Sequence, residues 1–443
     1  MMTDFDAVVL GGGAAGMMAA LRAADLGARV ALVDGSGGTK SNLWASSGLF
    51  AAAGTRFQAA SRVTDGAAPW AADIRRKAGA VDPAVVDVVA GRSADVAHFF
   101  ADRLGLEVEH MPELDIPGHS VARLHQAHGE GGPGLAAALF QSLAAKGVTV
   151  IAAEATGLIA EDGVVVGAAT SSGAVRGRWT VLATGGFGAN KALVARHLPG
   201  VERAVYIGVG PNDGRGHAWG EALGGQLAMM DSYQGQGHTI PDGLGRLGPG
   251  LTSFGAIVVN DAGRRFADES MGPSEFGAHV LAQPGGTAVE LFDGRIHAAA
   301  MQLSTYRASV ARGVVVHGVD LPGLAAAFGL PEPTLRQTLE THAAVVAGSA
   351  DEFGRVSALH PLVPPYYAAR VTGALAHTEG GLVVDATARV RRGEGYVPGL
   401  LAAGAAAAGV SGHGAGYLPG IGLAHAFALG MVAGETVGGS RIG

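Results

Sequence analysis

The chain of 443 residues contains no cysteine. This absence excludes disulfides, thiolate catalysis, cysteine-ligated zinc and cysteine-held iron–sulfur clusters in the chain. It also favours a reducing compartment, and we expect a cytoplasmic protein. Charged residues are scarce as well, at 16% of the total, and the formal net charge is −7. Because no basic run could follow a phosphate backbone, we expect no nucleic-acid partner.

Charge is missing altogether from residues 395–434, which contain no Asp, Glu, Lys or Arg. Pro398, Pro419 and a glycine cluster at 412–416 interrupt this stretch, and it is richer in Gly and Ala than in Leu and Ile. A continuous membrane-spanning helix of about twenty residues does not fit such a pattern, so we expect buried structure and no transmembrane segment. The N-terminus runs straight into an apolar segment without a basic region or a cleavage site, and we expect no signal peptide.

The strongest local pattern lies within residues 6–34. A short apolar run predicts a buried strand, and a glycine-rich turn follows it at once, with Gly11, Gly13 and Gly16 in the spacing GxGxxG. The sequence then predicts a helix at 17–26 and a second short strand at 29–33, which ends on Asp34. This order is typical of a Rossmann unit that binds a dinucleotide.

Each residue of the motif has a mechanical reason. Gly11 permits the tight turn, Gly13 lets a pyrophosphate approach the backbone, and Gly16 lets the helix pack closely on the strand. The amides at the helix N-terminus would face the phosphates. The Asp34 carboxylate lies where it can accept hydrogen bonds from ribose hydroxyls, which favours FAD or NAD over NADP. No second GxGxxG follows a strand, so we expect no NAD(P)H-binding domain and an external electron acceptor or donor.

Beyond this unit, hydrophobic periodicity predicts further elements. Helices are predicted at 83–104 and 134–146, and a strand is predicted at 148–153. A hairpin with arms at 164–166 and 175–179 is predicted to lead into a strand at 181–183. That last strand runs into the small-residue turn 184–186. Such a turn would present backbone amides to the cofactor a second time.

Later segments complete a pattern that extends over nearly the whole chain. Residues 208–214 are similar to an NTGDG turn, and residues 398–404 are similar to a PGLyAaGE segment. In this order, with the two glycine turns, the chain resembles the superfamily of FAD-dependent fumarate reductases, succinate dehydrogenase flavoproteins, L-aspartate oxidases and 3-ketosteroid-Δ1-dehydrogenases. The resemblance implies an α/β protein, in which a Rossmann-type FAD-binding domain, residues 1–236 and 372–443, carries an inserted α+β capping domain, residues 237–371.

The resemblance also implies a set of cofactor contacts. The residues expected to bind FAD are Gly11, Gly13, Ala14, Ala15, Gly16, Asp34, Gly38, Thr39, Lys40, Ser41, Asn42, Ala45, Ser46, Ser47, Gly48, Glu154, Ala155, Thr184, Gly185, Gly186, Asn190, Asn212, Asp213, His377, Gly404, Gly420, Gly422 and Leu423. Asn42 stands where the respiratory members attach their flavin to a histidine, so we expect non-covalent FAD. Ala405 replaces the glutamate with which many relatives contact FAD.

The carboxylate-binding pattern of the superfamily is broken at several positions. Ala376, Pro273 and Tyr417 stand where the resemblance places a substrate histidine, a catalytic arginine and a substrate arginine. Two proton-relay positions fall near Pro249 and Thr252. We therefore expect neither a fumarate reductase nor an aspartate oxidase, and place the chain closer to the ketosteroid and tricarballylate dehydrogenase branch.

Tyrosines are the main catalytic candidates, because a phenol can hydrogen-bond a ketone oxygen and favour its enol. Tyr417 follows the glycine cluster, where the ketosteroid branch also has a tyrosine. Tyr366 or Tyr367, in a segment similar to the family's PPFYAvkVt, is expected to act with it. The alternative for all three is a role as core or interface aromatics.

Histidines supply the other candidates. His238 lies where the superfamily has a substrate-binding His-x-Thr. His377 and His413 lie on turns expected next to the flavin, and each could contact isoalloxazine or substrate, or be a hydrogen-bonded structural histidine. His125 and His128 are spaced like a metal pair, but no third ligand is evident, so we expect no metal.

These patterns predict an FAD-dependent oxidoreductase. We expect it to act on a small-molecule substrate, at a C–C bond activated by a carbonyl, as a ketone dehydrogenase or the corresponding ene-reductase. One alternative is a carboxylate-type, tricarballylate-like dehydrogenase that uses Arg215, Arg264 or Arg370. Others are an electron-transfer flavoprotein without a substrate of its own, and an FAD-binding protein with a structural or regulatory role. Substrate identity, physiological direction and oligomeric state stay open.

Overall fold

A computed structural model describes residues 4–114, 118–127, 131–248, 250–412 and 414–439. The chain divides into two compact units. The first unit comprises Met1–Leu193, Gly208–Tyr233 and His377–Gly443, and the second comprises Val194–Ile207 and Gln234–Ala376. The predicted domain boundaries at 236/237 and 371/372 stay a prediction. The assignment of cofactor binding to one part and capping to the other stays a prediction.

Strands occur in both units. The described strands are β1 (Phe5–Leu10), β2 (Val30–Val33), β3 (Leu49–Ala51), β4 (Val108–His110), β5 (Leu124–Ala127), β6 (Thr149–Ile151), β7 (Ala155–Glu161), β8 (Val164–Thr170), β9 (Gly173–Leu182), β10 (Val205–Tyr206), β11 (Leu227–Ala228), β12 (Tyr233–Thr239), β13 (Ile257–Val259), β14 (Thr287–Asp293), β15 (Val316–Val319), β16 (Tyr366–Thr378), β17 (Gly381–Leu382), β18 (Arg389–Arg392) and β19 (Gly395–Ala402).

Helices alternate with these strands along much of the chain. The described α-helices are α1 (Ala14–Asp25), α2 (Asn42–Ala45), α3 (Arg56–Ala60), α4 (Ala67–Ala78), α5 (Pro83–Leu104), α6 (Gly131–Ala145), α7 (Lys191–His197), α8 (Arg215–Ala222), α9 (Gly250–Ser253), α10 (Pro273–Leu281), α11 (Gly294–Ala300), α12 (Ser304–Ala311), α13 (Leu321–Phe328), α14 (Glu332–Val346) and α15 (Ile421–Gly439). Short 3-10 turns lie at Pro284–Gly286, Gly404–Ala406 and Gly414–Gly416.

The first unit is built on a sheet with the order β18-β19-β9-β1-β2-β6. β1 runs parallel to both β2 and β9, and β2 runs parallel to β6, as a Rossmann unit requires. Its central strands are apolar and buried because both faces of the sheet are covered. On one face α1 packs closely on α15, since Gly430 and Gly434 bring the two backbones together: an added Cβ would lie 2.5 Å from the Ala15 carbonyl oxygen and 2.7 Å from that of Ala19.

The predicted elements of this unit are present with shifted ends. α1 begins at Ala14, three residues earlier than predicted, because Gly13 is its N-cap. β6 is limited to Thr149–Ile151, and α6 begins at Gly131. β8 and β9 form the predicted hairpin. β9 continues without a break to Leu182, so the predicted hairpin arm and the predicted strand at 181–183 are one long strand.

The second unit contains a sheet with the order β10-β16-β14-β13, and β12 and β15 also pair with β16. Residues 194–207 belong to this unit because β10 pairs in parallel with β16. Pro322 and Pro333 lie in the first turns of α13 and α14, where proline costs no helical hydrogen bond. Pro331 is the N-cap of α14. All three prolines therefore lie at the starts of helices.

Among the described helices, α15 is long and apolar enough to cross a membrane by length and composition. Its most apolar window has a mean hydropathy of 1.3, and 78% of that window is buried inside the protein. The helix begins just after Pro419, so the predicted interruption of the apolar stretch by proline is observed. A core helix covered by α1 and the sheet has these same features, which makes the length alone weak evidence for a membrane span.

Candidate functional site

The glycine turn after β1 is fixed by contacts within the chain. Gly11 has a φ of +108°, and an added Cβ would lie 2.4 Å from the carbonyl oxygen of Ala183 at the end of β9. A Cβ on Gly16 would lie 1.9 Å from the carbonyl oxygen of Gly11. Real Cβ atoms do not approach backbone this closely, so both positions require glycine for the turn and for the packing of α1 on the sheet.

Gly13 differs from the two glycines around it. Its φ is −83°, which any residue adopts, and the nearest heavy atom to an added Cβ would be Cβ of Ser41 at 3.8 Å. The packing of the chain therefore leaves room for a side chain at Gly13, at the N-terminus of α1 where backbone N–H groups are unpaired. A dinucleotide pyrophosphate needs this open cradle next to the amides, so the residues present fit FAD.

Asp34 joins the glycine turn to the loop that follows β2. Its Oδ1 accepts a hydrogen bond from the Gly12 N–H (3.2 Å), and its Oδ2 accepts from the N–H groups of Ser36 (3.1 Å) and Gly38 (2.9 Å). The sequence predicted a contact with ribose but not this bracing role. The Gly- and Ser-rich residues directly after the acid were the available signal, because Asp commonly accepts from backbone N–H groups two residues on.

The loop at residues 38–48 contains the short helix α2 and is held by its own polar groups. The Ser41 hydroxyl caps α2 by accepting from the Trp44 N–H (3.3 Å), and the Ser46 hydroxyl accepts from the Gly48 N–H (3.0 Å). Ala45 ends α2 and is partly buried. The exposed residues of the predicted cofactor set in this loop are Thr39, Lys40 and Ser47.

Asn42 and Asn212 connect this loop to the turn at residues 208–214. The Asn42 side-chain oxygen accepts from the Val209 N–H (2.8 Å). Asn212 donates to the Val209 carbonyl (2.7 Å) and accepts from the Gly186 N–H (3.2 Å). Gly185 has a φ of +79°, and an added Cβ would meet the Asn212 side-chain oxygen at 2.1 Å. The structure thus brings four predicted cofactor residues from three separate segments into one cluster.

Glu154 and Asp213, also predicted to bind cofactor, meet at Arg215. The guanidinium of Arg215 contacts Asp213 at 2.7 Å and also pairs with Glu154. Burial, the largest single influence on Asp213, acts to raise its pKa, but the hydrogen bonds and the charge of Arg215 together hold that pKa below its usual range. Asn190 donates from its amide to the Asp213 backbone carbonyl (3.0 Å), and Ala155 begins β7 next to Glu154.

The remaining predicted cofactor residues surround the start of α15. Gly404 has a φ of +63°, and an added Cβ would lie 2.8 Å from the Cβ of Ala15, so the two segments are in direct contact. The Gly420 carbonyl accepts from the Ala51 N–H (3.2 Å). Leu423 packs against the core around α1. Thr184 contributes a buried hydroxyl without a hydrogen-bond partner in the described part of the chain.

Tyr417 and His377 are neighbouring polar side chains of the first unit, next to Gly422 at the start of α15. Their rings meet edge to face, with centroids 5.8 Å apart. A Cβ built on Gly422 would lie 3.0 Å from His377 Nε2 and 3.6 Å from the Tyr417 hydroxyl, so both polar atoms face the same point above that glycine. Both side chains are partly exposed, which leaves each with an edge that a ligand can reach.

Glu379 and His425 extend this pair into the interior, and the sequence prediction missed both. Glu379 is 4% exposed and His425 is 3% exposed. Glu379 Oε1 lies 3.3 Å from His377 Nδ1, and Glu379 Oε1 and His425 Nε2 lack a hydrogen bond of normal geometry to any described residue. A cavity of about 20 Å³ lies between Glu379, His377 and His425. The available signal for Glu379 was an acidic residue two positions after His377 and directly before two glycines.

The ionisable groups of this cluster are shifted towards their uncharged forms. Burial raises the pKa of Glu379 to about 8 and lowers the pKa values of His377 and His425 to about 4. Burial also raises the pKa of Tyr417, and the neighbouring Glu379 carboxylate adds to this, while a backbone hydrogen bond with Gly422 opposes it. At pH 7 the cluster therefore contains a neutral carboxylic acid, two neutral imidazoles and a neutral phenol.

His238 lies in the second unit, on β12, and is 2% exposed. Its Nδ1 is 2.9 Å from Glu290 Oε2, and its ring stacks on Phe276 with centroids 5.2 Å apart. The sequence gave no sign of Glu290, which comes from β14 and is fully buried. The pair fixes the orientation of the His238 imidazole, and the predicted role of His238 in substrate binding stays a prediction.

Tyr366 and Tyr367 point to different clusters of the second unit because neighbouring residues of a strand face opposite sides. Tyr366 is buried and belongs to the apolar core around α13 and α14. Tyr367 stacks on His297, with centroids 4.4 Å apart, and on Phe292. These contacts are those of packed aromatics, which is the alternative stated for both, and their predicted catalytic role stays a prediction.

His125 has a structural environment. It is buried, donates from Nδ1 to the Arg123 carbonyl (2.8 Å), and accepts at Nε2 from the Thr55 hydroxyl (2.8 Å). Burial lowers its pKa to about 4. Across the described ranges, no group of three His, Cys, Asp or Glu residues could hold a metal ion. His128, Pro249 and His413 lie outside the described residues.

Comparisons with known proteins agree with this geometry. A model of the family described as FAD binding domain matches residues 6–423. Fumarate reductase (cytochrome) from Shewanella frigidimarina is 28% identical over 443 residues, which cover 97% of this chain and 76% of that protein. 3-Oxosteroid 1-dehydrogenase from Mycobacterium tuberculosis is 29% identical over 274 residues, which cover 53% of this chain and 48% of that protein.

A solved structure is similar throughout the fold. The open conformation of a flavocytochrome c3 fumarate reductase matches with a TM-score of 0.84 and 27% identity, and the match covers 99% of this chain and 78% of that one. These findings confirm the predicted superfamily, the α/β class and FAD as the cofactor. The chain belongs to the family of FAD binding domains, and it is an FAD-dependent oxidoreductase of the group that contains fumarate reductases and 3-oxosteroid dehydrogenases.

Proposed function

We propose that the protein is a dehydrogenase or ene-reductase for a C–C bond next to a ketone. The observation that carries this proposal is the uncharged pair of Tyr417 and His377, whose polar atoms converge above Gly422. A phenol there can donate a hydrogen bond to a ketone oxygen, which gains negative charge as the neighbouring carbon loses its proton. FAD, when bound, would accept or return the hydride.

The charge of the cluster supports a ketone over a dicarboxylate. A dicarboxylate brings two negative charges, and burying them requires paired cations. Burial lowers the pKa of His377, so its imidazole is uncharged at pH 7. Burial raises the pKa values of Glu379 and Tyr417, whose charged forms are anions. None of the three side chains therefore supplies a cation. Tyr417 also lacks the forked donors with which an arginine binds a carboxylate.

The carboxylate-type alternative depends on arginines elsewhere. Arg215 is paired with Asp213 and Glu154, and Arg370 is paired with Asp261 at 2.8 Å. These ion pairs already use the charges that a carboxylate substrate would need. Arg264 is exposed. An FAD-binding protein without its own substrate is the second alternative. The cluster around Tyr417 argues against it, because buried titratable groups with shifted pKa values are typical of catalytic sites.

We propose that the electrons are exchanged with an external acceptor or donor. The nature of that carrier sets the physiological direction. We place the reaction in the cytoplasm, the compartment that the cysteine-free composition favours.

Anaerobic flavin bleaching against a panel of ketones, enones and carboxylates tests the proposal. We expect a saturated ketone to bleach the oxidised flavin, and an enone to reoxidise the reduced flavin at least about 10²-fold faster than fumarate does, since Pro273 supplies no acid where the superfamily has an arginine. The change in flavin absorbance is measured by stopped flow, with free FAD as control. Fast reoxidation by fumarate would contradict the proposal, as would a flavin that no member of the panel affects.

We further propose that the FAD is not covalently attached. Asn42, at the position of the attachment histidine, hydrogen-bonds the backbone at Val209 and has no nucleophilic nitrogen to form a flavin bond. Acid precipitation should therefore leave the flavin in the supernatant, where absorbance and mass spectrometry identify free FAD. Flavin that stays with the precipitated chain would show that another residue forms a bond.

A further inference from the structure

Glu379 is a buried carboxyl group that the proposed chemistry has not used. It is packed against the Gly409 backbone, since an added Cβ there would lie 2.1 Å from its Oε2. Its other oxygen, Oε1, faces Nδ1 of His377 at 3.3 Å and lacks a regular hydrogen bond from the described residues. A buried carboxyl group without full hydrogen bonding is costly to maintain, so its position beside His377 points to a role.

The cavity beside Glu379 extends this contact to a second imidazole. Its volume of about 20 Å³ has room for about one water molecule, which needs two to four polar partners. Glu379 Oε1 and His425 Nε2 are both buried and lack partners among the described atoms. One water bound to these two atoms would satisfy both.

We propose that Glu379 is the proton store of the site: it exchanges a proton with Nδ1 of His377, and Nε2 of His377 exchanges one with the substrate carbon above Gly422. A water bound in the cavity would connect Glu379 to His425. Glu379 acts through His377 and is therefore a positioning and proton-holding residue, whereas His377 contacts the substrate. This inference rests on the proposed ketone chemistry, because that chemistry requires a proton to move at the carbon next to the carbonyl.

The proton balance follows from this arrangement. In ene-reduction the β-carbon gains a hydride, which bound reduced FAD would supply, and the electron pair of the C=C bond takes the proton from His377 Nε2 at the α-carbon. Nδ1 of His377 then receives the proton of the Glu379 carboxyl group. In dehydrogenation each transfer is reversed, so Glu379 must begin as a carboxylate.

Among the ionisable side chains of this cluster, Glu379 is the one expected to change its protonation state near neutral to mildly alkaline pH. In the part of the chain that the structure describes, the titratable side chains next to it are His377 on β16, Tyr417 in the turn before α15, and His425 on α15. Both histidines have pKa values near 4, and burial raises the pKa of Tyr417 above its ordinary value. Within this group, Glu379 therefore changes charge near its pKa of about 8. Below that pH Glu379 is protonated and can supply a proton for reduction of the substrate. Above that pH Glu379 is a carboxylate and can accept the proton released in dehydrogenation of the substrate.

Infrared difference spectroscopy of the FAD-bound protein, titrated from about pH 6 to about pH 10, tests the store directly. We expect the carbonyl band of a protonated carboxyl group that disappears with a midpoint near 8. Glu379→Gln should remove this band, and Glu435→Gln, which changes a carboxylate on α15 outside the cluster, should keep it. A wild-type protein without the band, or a band that survives in Glu379→Gln, would overturn the proposal whatever the substrate is.

The path through His377 has its own readouts. In His377→Gln the carboxyl band should remain, but its shift after transfer to deuterated water should slow by about tenfold or more, because the imidazole path is lost. With a substrate from the bleaching panel, Glu379→Gln should lower the rate of substrate reduction about 10²-fold and abolish the change of this rate near pH 8. Glu379→Asp should restore part of the rate and part of its pH dependence. An unchanged pH profile in Glu379→Gln would refute the relay. If no panel compound affects the flavin, the ketone proposal fails, and the infrared result still decides whether Glu379 stores a proton.

Discussion

Replacing Tyr417 by phenylalanine is expected to lower turnover about 10²–10³-fold, the typical effect of removing one hydrogen-bond donor from the charge that develops in a transition state. The hydroxyl faces the point above Gly422 that His377 Nε2 also faces, so it is placed to donate to a carbonyl oxygen there. Burial raises the pKa of Tyr417, and the phenol therefore keeps its proton across the physiological pH range. The loss should appear in kcat, because the hydrogen bond strengthens as the oxygen gains charge.

The substitution keeps the aromatic ring and its contact with His377, so folding and FAD content should stay close to those of the unchanged protein. Tyr396→Phe is the matched control. Tyr396 lies on β19 of the same unit and is 38% exposed, and its loss should leave turnover unchanged. Turnover and FAD absorbance are measured on the same preparations with the substrate that bleaches the flavin best. Full activity of Tyr417→Phe with full FAD content would show that Tyr417 only packs.

Local sequence signals predicted those elements of the fold that local chemistry determines. Helix α5 has the predicted bounds because Asp82 caps it, Pro83 opens it, and Gly105 ends it in a left-handed conformation. The dinucleotide unit was predicted for the same reason, since the strand, the glycines and the acid lie within residues 5–34. The ends of α1 and α6 were missed because caps and turn geometry decide them, and hydrophobic periodicity does not show these.

Contacts between distant segments were beyond prediction from one sequence. Residues 194–207 join the second unit through the pairing of β10 with β16, which is more than 160 residues away along the chain. Glu379 became a candidate only when the structure placed His425 and the cavity beside it. Asp34 was predicted as a ribose contact, and its hydrogen bonds to Gly12 and Gly38 became visible only in the folded loop.

Two glycines of the turn after β1 are expected to be required for different reasons, Gly11 for folding and Gly13 for cofactor binding. Gly11→Ala should destabilise the protein strongly, because the residue has a φ of +108° and the new methyl group would lie 2.4 Å from the Ala183 carbonyl oxygen. The methyl group would force apart the ends of β1 and β9, at a cost of about 1–3 kcal/mol or more. We expect little purified protein, with a lowered melting temperature whether or not FAD is added.

Gly13→Ala should behave differently. Its φ of −83° suits alanine, and the new methyl group would find Cβ of Ser41 at an ordinary 3.8 Å, so the protein without cofactor should keep its melting temperature. The methyl group would fill the cradle where the pyrophosphate approaches the amides of α1. Overlap with a tightly packed ligand costs about 1–3 kcal/mol, which corresponds to a rise in the FAD dissociation constant of roughly 5–150-fold.

Calorimetric titration of FAD into the deflavinated proteins measures this effect, and circular dichroism on the same samples measures their folding. Gly91→Ala is the control: Gly91 is an exposed residue of α5 with nothing within 4 Å of an added Cβ, so alanine there should leave FAD affinity unchanged and stabilise the helix slightly. Unchanged FAD affinity in Gly13→Ala would mean that the pyrophosphate does not lie over this residue. A melting temperature lowered as far as that of Gly11→Ala would mean that the chain itself, and not the cofactor, requires glycine at position 13.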